Sequence, residues 1–224
     1  MDTEPKKETL GQVAKRFVQE VEDSVMPLPS FANGHGECQP ISMSQLFDRV
    51  VALSHQMHTL ATDTYVEFDQ HFMQGQQLIF RAINNCHTSS IVTPQNKEEA
   101  LRISREQLLS LVIAVLHSWR DPLQYVISEF TYTHRTTSSM LSKSLKIVKQ
   151  MKQLAKGLNK ISEQMGQHRR VIQQVRQWEQ PLAEDRDSIM LQLYSLLQCF
   201  RRDTHKIDSY LKLLKCRFSQ QSSC

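Results

Sequence analysis

Four stretches of the chain repeat an apolar residue every three or four positions, with polar residues between, which is the period of a one-sided helix and not of a strand. The first covers about residues 44 to 72, with Leu46, Val50, Leu53, Met57, Leu60 and Phe68 on one face, and Ser44 is placed to cap it. The second covers about 104 to 130 and carries Leu108, Val112, Val115, Trp119, Leu123, Val126 and Phe130. Pro122 falls inside that pattern and cannot donate to the helical ladder, so a kink is predicted near Asp121. The third, about 138 to 165, has Leu141, Leu145, Val148, Ala155, Leu158 and Ile161. The fourth, about 187 to 218, has Ile189, Leu193, Leu196, Phe200, Ile207, Leu211 and Leu214. Ahead of them, Val13, Phe17, Val21 and Val25 permit one short amphipathic helix, which Pro27, Pro29, Asn33, Gly34 and Gly36 then stop.

Four one-sided helices must bury their stripes against one another, so the fold class is all-α, a helical bundle. Connection lengths choose its topology. Only residues 131 to 137 separate the second and third helices, which suits antiparallel neighbours. Residues 73 to 103 and 166 to 186 are long enough, at about 3.3 Å per residue, to run back along a helix of about 40 Å. Two long crossovers and one short turn give an up-up-down-down, long-chain four-helix bundle.

Composition agrees and narrows the class. In 224 residues, 40% are hydrophobic and 22% charged, while glycine (6) and proline (7) are too scarce for a collagen-like or turn-rich chain. The net charge of +4 is well below a nucleic-acid binder's signature, and no apolar run approaches the roughly 18 residues of a membrane span. Five cysteines suggest a secreted disulfide framework with one thiol left over, with several pairings open. The first 25 residues nevertheless hold no apolar block of the kind a secretory signal needs, so the sequence as written reads as a mature form with an added methionine or as the product of an unusual start. Residues 1 to 37 read as an N-terminal extension of unknown role, and 38 to 224 as the bundle domain. No dinucleotide, phosphate-loop, H-E-x-x-H or C-x-x-C motif occurs, no Glu-x-x-His pair suggests a di-iron centre, and no N-x-[ST] acceptor is present.

Longer motifs then bear on the family. The run Leu46-Phe-Asp-Arg-Val-Val-Ala-Leu-Ser-His55-Gln-Met-His58, the segment Cys86-His-Thr-Ser-Ser90 followed by Thr93-Pro94, and Leu109-Ser-Leu111 with Ser118-Trp-Arg-Asp-Pro-Leu123 resemble, in order, parts of the prolactin and growth hormone (somatotropin) family. The run from Cys199 to Cys216 resembles its last helix, and prolactin more closely than growth hormone. The resemblance implies a Cys86–Cys199 disulfide and a small Cys216–Cys224 loop, worth about 4–5 and about 2–3 kcal/mol in the chain-entropy model. Cys38 resembles the second cysteine of a further small loop whose first is absent here, leaving it a free thiol or a handle for a homodimer.

The same resemblance implies receptor faces. Val51, His55, His58, His87, Pro94, Arg201, Arg202, His205, Lys206, Tyr210 and Lys212 match the first receptor-binding surface. Gly157, with Arg49, matches the second, where a missing Cβ is expected to leave room for a receptor's side chains; the alternative is a glycine tolerated on a packed helix. His55 and His58 share a helical face, and with Asp208 they resemble a zinc-supporting patch; otherwise they are exposed polar residues. With His205 they also suggest receptor binding that weakens as pH falls. Lys143, Lys146, Lys149, Lys152, Lys156 and Lys160 form either a solvated face or a surface for heparan sulphate.

The function implied is that of a secreted, non-enzymatic hormone or cytokine of the prolactin type. It would engage two copies of a single-pass cytokine receptor and trigger receptor-associated kinase signalling, needing no cofactor apart from the candidate zinc. The alternatives are a diverged, for example placental, paralogue that no longer acts through the prolactin receptor, and an intracellular helical adaptor.

Overall fold

The structure, a computed structural model, describes residues 41–72, 86–132, 137–166, 178–179 and 185–219. Residues 1–37, Cys38 and Cys224, on which several expectations fall, lie outside the described residues. Helix α1 spans Met43–Phe72, and the crossover after it carries a 3-10 turn at His87–Ser90 and a short helix α2 at Lys97–Arg102. The second long segment is two helices, α3 (Arg105–Ser118) and α4 (Arg120–Tyr132). Helices α5 (Ser138–Gln164) and α6 (Arg186–Phe218) complete the bundle.

Caps explain where the helices begin. Ser104 and Gln107 form a reciprocal capping box at α3, Thr137 accepts from Met140 N at α5, and Asp185 accepts from Ser188 N at α6. The cap of α1 is Ser42, not Ser44: Ser42 Oγ accepts from Gln45 N while Gln45 Oε1 accepts from Ser42 N. Ser44 lies two residues further in, within the first turn, because the Ser42–Gln45 pair satisfies two amides at once. Gly166, with φ of 71°, ends α5, a backbone conformation that favours glycine, and its N–H donates to Glu163 O.

Direction follows from which residues meet. Along α1 and α6, Phe47 faces Phe218, Ser54 faces Asp208 and Tyr65 faces Tyr194, so the two run antiparallel. Arg105 against Phe218 and Trp119 against Phe200 make α3 antiparallel to α6 as well. Gln56 with Gln150 and Glu67 with Lys143 make α1 antiparallel to α5. Helices α1 and α3–α4 therefore point one way and α5 and α6 the other, the up-up-down-down arrangement with two long crossovers.

Two sequence expectations shift by small amounts. The second segment breaks at Trp119, two residues before Asp121. Pro122 lacks the N–H that would bond to Ser118 O and its ring presses on that carbonyl, so the ladder fails there. On α5 the buried stripe is Met140, Ser144, Ile147, Met151, Leu154, Leu158 and Ile161, while Leu141, Leu145, Val148 and Ala155 sit on its margin. Methionine and serine fill the seam because the stripe follows the direction of the neighbouring helices, not the most apolar residues.

Candidate functional site

The polar centre of the molecule is a carboxylate buried between the crossover and α6. Asp203 is 2% exposed. Its Oδ2 accepts from Trp119 Nε1 (3.0 Å) and Thr88 Oγ1 (2.6 Å), and its Oδ1 accepts from Arg202 Nε (3.0 Å). Arg202 Nη2 also donates to Thr88 Oγ1 at 3.0 Å. A buried charge is tolerated only when it is paired and hydrogen-bonded, and here one carboxylate joins the crossover, the α3 end and α6. Beside it the Cys86–Cys199 disulfide links the same crossover to α6.

His87, matched to a receptor contact, is turned inward. Its ring meets Trp119 edge-on at 4.5 Å, and Nε2 donates to Ser118 O at 3.1 Å, the carbonyl that Pro122 leaves without a helical donor. Burial holds its pKa below the ordinary histidine value. Tyr210 is also covered: its hydroxyl donates to Pro94 O at 2.7 Å, and burial pushes its pKa up. Lys206 Nζ donates to Thr93 Oγ1 at 2.8 Å, with its pKa lowered by burial. These two α6 side chains pin the Thr93–Pro94 segment along the helix. Val51 is half-buried against the core.

Around those anchors the remaining residues form one surface. His55, Arg202, His205 and Lys212 are exposed on α1 and α6. His58 and His205 lie 5.2 Å apart between ring centres. Thr204 donates its hydroxyl proton to Arg201 O, so Thr204 Oγ1 accepts from His58 Nδ1–H, which places the proton of the neutral ring on Nδ1. Burial, then the neighbouring His205, lowers the His58 pKa. Arg201 leans away, its guanidinium 4.5 Å over the Tyr65 ring. A groove of about 570 Å³ opens between α2 and α6, lined among others by Asn96, Ala100, Lys206, Tyr210 and Leu213. A second of similar size, beside the disulfide, is lined among others by His58, Thr62, Arg201 and His205.

Each of the three zinc candidates has a protein neighbour. Asp208 is buried, accepting from Ser54 Oγ at 3.0 Å and from Lys212 Nζ at 2.6 Å, so an ammonium stands where a cation would bind. His55 Nδ1 lies 3.7 Å from Asp208 Oδ2, while His58 is turned to Thr204. Among the described residues, no three His, Cys, Asp or Glu side chains are grouped to hold a metal ion.

On the α5 side of α1, Gly157 is packed against that helix. A Cβ built there would meet Val50 Cγ1 at 2.6 Å, so α1 itself occupies the room that the missing side chain provides. Arg49 is exposed next to Val50. Of the α5 lysines, Lys143 pairs with Glu67 at 2.8 Å and Lys160 with Glu163 at 3.5 Å, while Lys146, Lys149 and Lys156 are exposed. Cys216 is disulfide-bonded; its expected partner, Cys224, lies outside the described residues.

The Asp203 hub escaped the reading of the sequence. Thr88, Trp119 and Asp203 are far apart in the chain, and no spacing rule connects them. The one available signal was an aspartate between arginine and threonine on a helix face otherwise turned to the core.

An antiparallel pair of helices carrying a polar face, strapped by a crossover and closed by a disulfide, defines a long-chain helical-bundle protein that works through its surfaces. The chain belongs to the somatotropin hormone family, whose model matches residues 23–224. That match begins within the segment read as an extension. Members of this family are non-enzymatic signalling hormones that are typically secreted and act through receptors. Among the described residues no helix is long and apolar enough to cross a membrane.

Proposed function

We propose that the chain is a secreted hormone of the prolactin type that brings two cytokine-receptor molecules together through opposed faces of the bundle, starting kinase signalling inside the target cell. The observation that carries this reading is the continuity of the α1–α6 face. Lys206 and Tyr210 hold the crossover down, so that His55, Arg202, His205 and Lys212 and the groove beside Pro94 present one surface. Arginine and tyrosine suit interface anchors, and lysines suit the rim and steering. The second face in this reading is the α1–α5 seam, with Arg49 exposed next to the Val50 that packs on Gly157. Zinc is not required in this reading, because Lys212 already neutralises Asp208.

The test is binding of the oxidised protein to a prolactin-receptor ectodomain, with stoichiometry from light scattering. Two receptors per hormone are expected, and His205→Glu, at an exposed position outside the Asp203 hub, should sharply weaken the first step. A folded protein that binds no prolactin receptor would sink this reading and favour the diverged paralogue.

A further inference from the structure

A third groove lies on the side of the bundle formed by α3, α4 and α5, to which neither α1 nor α6 contributes. It holds about 410 Å³ and straddles the Trp119 break. Its floor is apolar: Leu116 and Leu123, each 2% exposed, with Val148 and Met151. Its rim is basic: Arg120 at the start of α4, Lys152 and Lys156 on α5, with His117 and Gln124 beside them, and no carboxylate lines it among the described residues. Arg120 and Lys156 are exposed.

We propose that this groove binds one medium-chain fatty acid anion, its chain along the apolar floor and its carboxylate held by the rim. Charge complementarity selects an anion, and the floor selects one with a substantial apolar part. A sulphated polysaccharide would gain nothing from Leu116, Leu123, Val148 and Met151, and would be served better by the outward Lys146 and Lys149. Arginine accepts a carboxylate in a two-point fork, and the stems of Arg120 and Lys156 can cover the chain while their charged ends stay wet.

The test is calorimetric titration of the full oxidised chain with dodecanoate below its micellar concentration. Saturable binding of one molecule is expected, weakened about tenfold or more in the double variant Arg120→Glu with Lys156→Glu. Both positions are exposed, so the variant should keep its helical circular dichroism; Gln124→Glu, a single added rim charge, gives a milder check in the same direction. Dodecyltrimethylammonium, with the same chain and the opposite charge, should not bind. The proposal is overturned if dodecanoate gives no saturable heat, or if the cationic analogue binds equally. It is also overturned if only a heparin hexasaccharide or anionic phospholipid vesicles bind. No receptor enters the measurement, so its outcome is independent of the function proposed above.

Discussion

Helix α1 meets α6 partly through buried polar atoms and meets α5, near the start of α1, through a contact too close for a methyl group. On the α6 side, Ser54, His58 and Asp208 are hydrogen-bonded across the seam and the crossover is tied over it by Asp203, Lys206 and Tyr210. On the α5 side, Val50 fills the space above Gly157. Both seams hold the same helix, but they fail differently. A hydrogen-bonded seam is specific and charge-sensitive, because each polar atom must keep its partner. The close contact of Val50 with Gly157 is sensitive to volume and indifferent to pH.

The sharpest way to break this contrast is at the hub. Asp203→Ala leaves the Trp119 and Thr88 donors without their acceptor, and the expected loss is about 3 kcal/mol. Urea unfolding should show it, and the variant should lose receptor affinity through a loosened crossover. Asp203→Asn, which keeps the shape and drops the charge, should lose less. A wild-type midpoint for Asp203→Ala would mean that the hub contributes nothing.

The packed seam is probed by Gly157→Ala. Alanine is the better helix former by about 1 kcal/mol, yet the added methyl forces Val50 aside at a cost of about 1–3 kcal/mol. The net expectation is a loss of up to about 2 kcal/mol, which Val50→Ala in the same chain should remove. If Gly157→Ala stabilises the otherwise unchanged chain, the close approach is not limiting.

The smallest expected effect is the pH response of the polar side. His58 and His87 both have native pKa values below the ordinary histidine value, chiefly through burial. As pH falls through about 6.5, the unfolded chain takes up protons before the native one. The stability these rings support is therefore complete above that range and declines below it, until the native rings are protonated too. Replacing His58 by Gln should flatten the fall in urea midpoint between about pH 7 and 5. Helix α5 carries no histidine, so Gly157→Ala should shift that curve without changing its slope. Equal slopes for the wild type and His58→Gln would remove His58 from the account.

Much of the fold was legible because helices are local. The period of three and four located the long segments, and the lengths between them chose the topology, since an antiparallel neighbour needs a short turn and a parallel one a long return. Legibility ended where two faces competed. On α5 the leucines at 141 and 145 looked like the seam, but Met140 and Ser144 form it, because position in the bundle outranks side-chain hydrophobicity. The short helix at Lys97–Arg102 was hidden in a crossover for the same reason that short helices are marginal alone: its Ala100 gains burial only against the finished bundle. The candidate site was legible as a set of matched positions, not as an arrangement. His87 and Tyr210 turned inward, and Lys212 is paired with Asp208.

The sequence by itself determined the helices, their order, their directions and the family, all of which depend on periodicity, spacing and contiguous motifs. Tertiary structure alone decided that Asp203 is the hub, that Gly157 admits α1, and that a basic-rimmed groove opens at the Trp119 break. Each of these joins residues remote in the chain, and packing and desolvation act on neighbours in space, which no local pattern records.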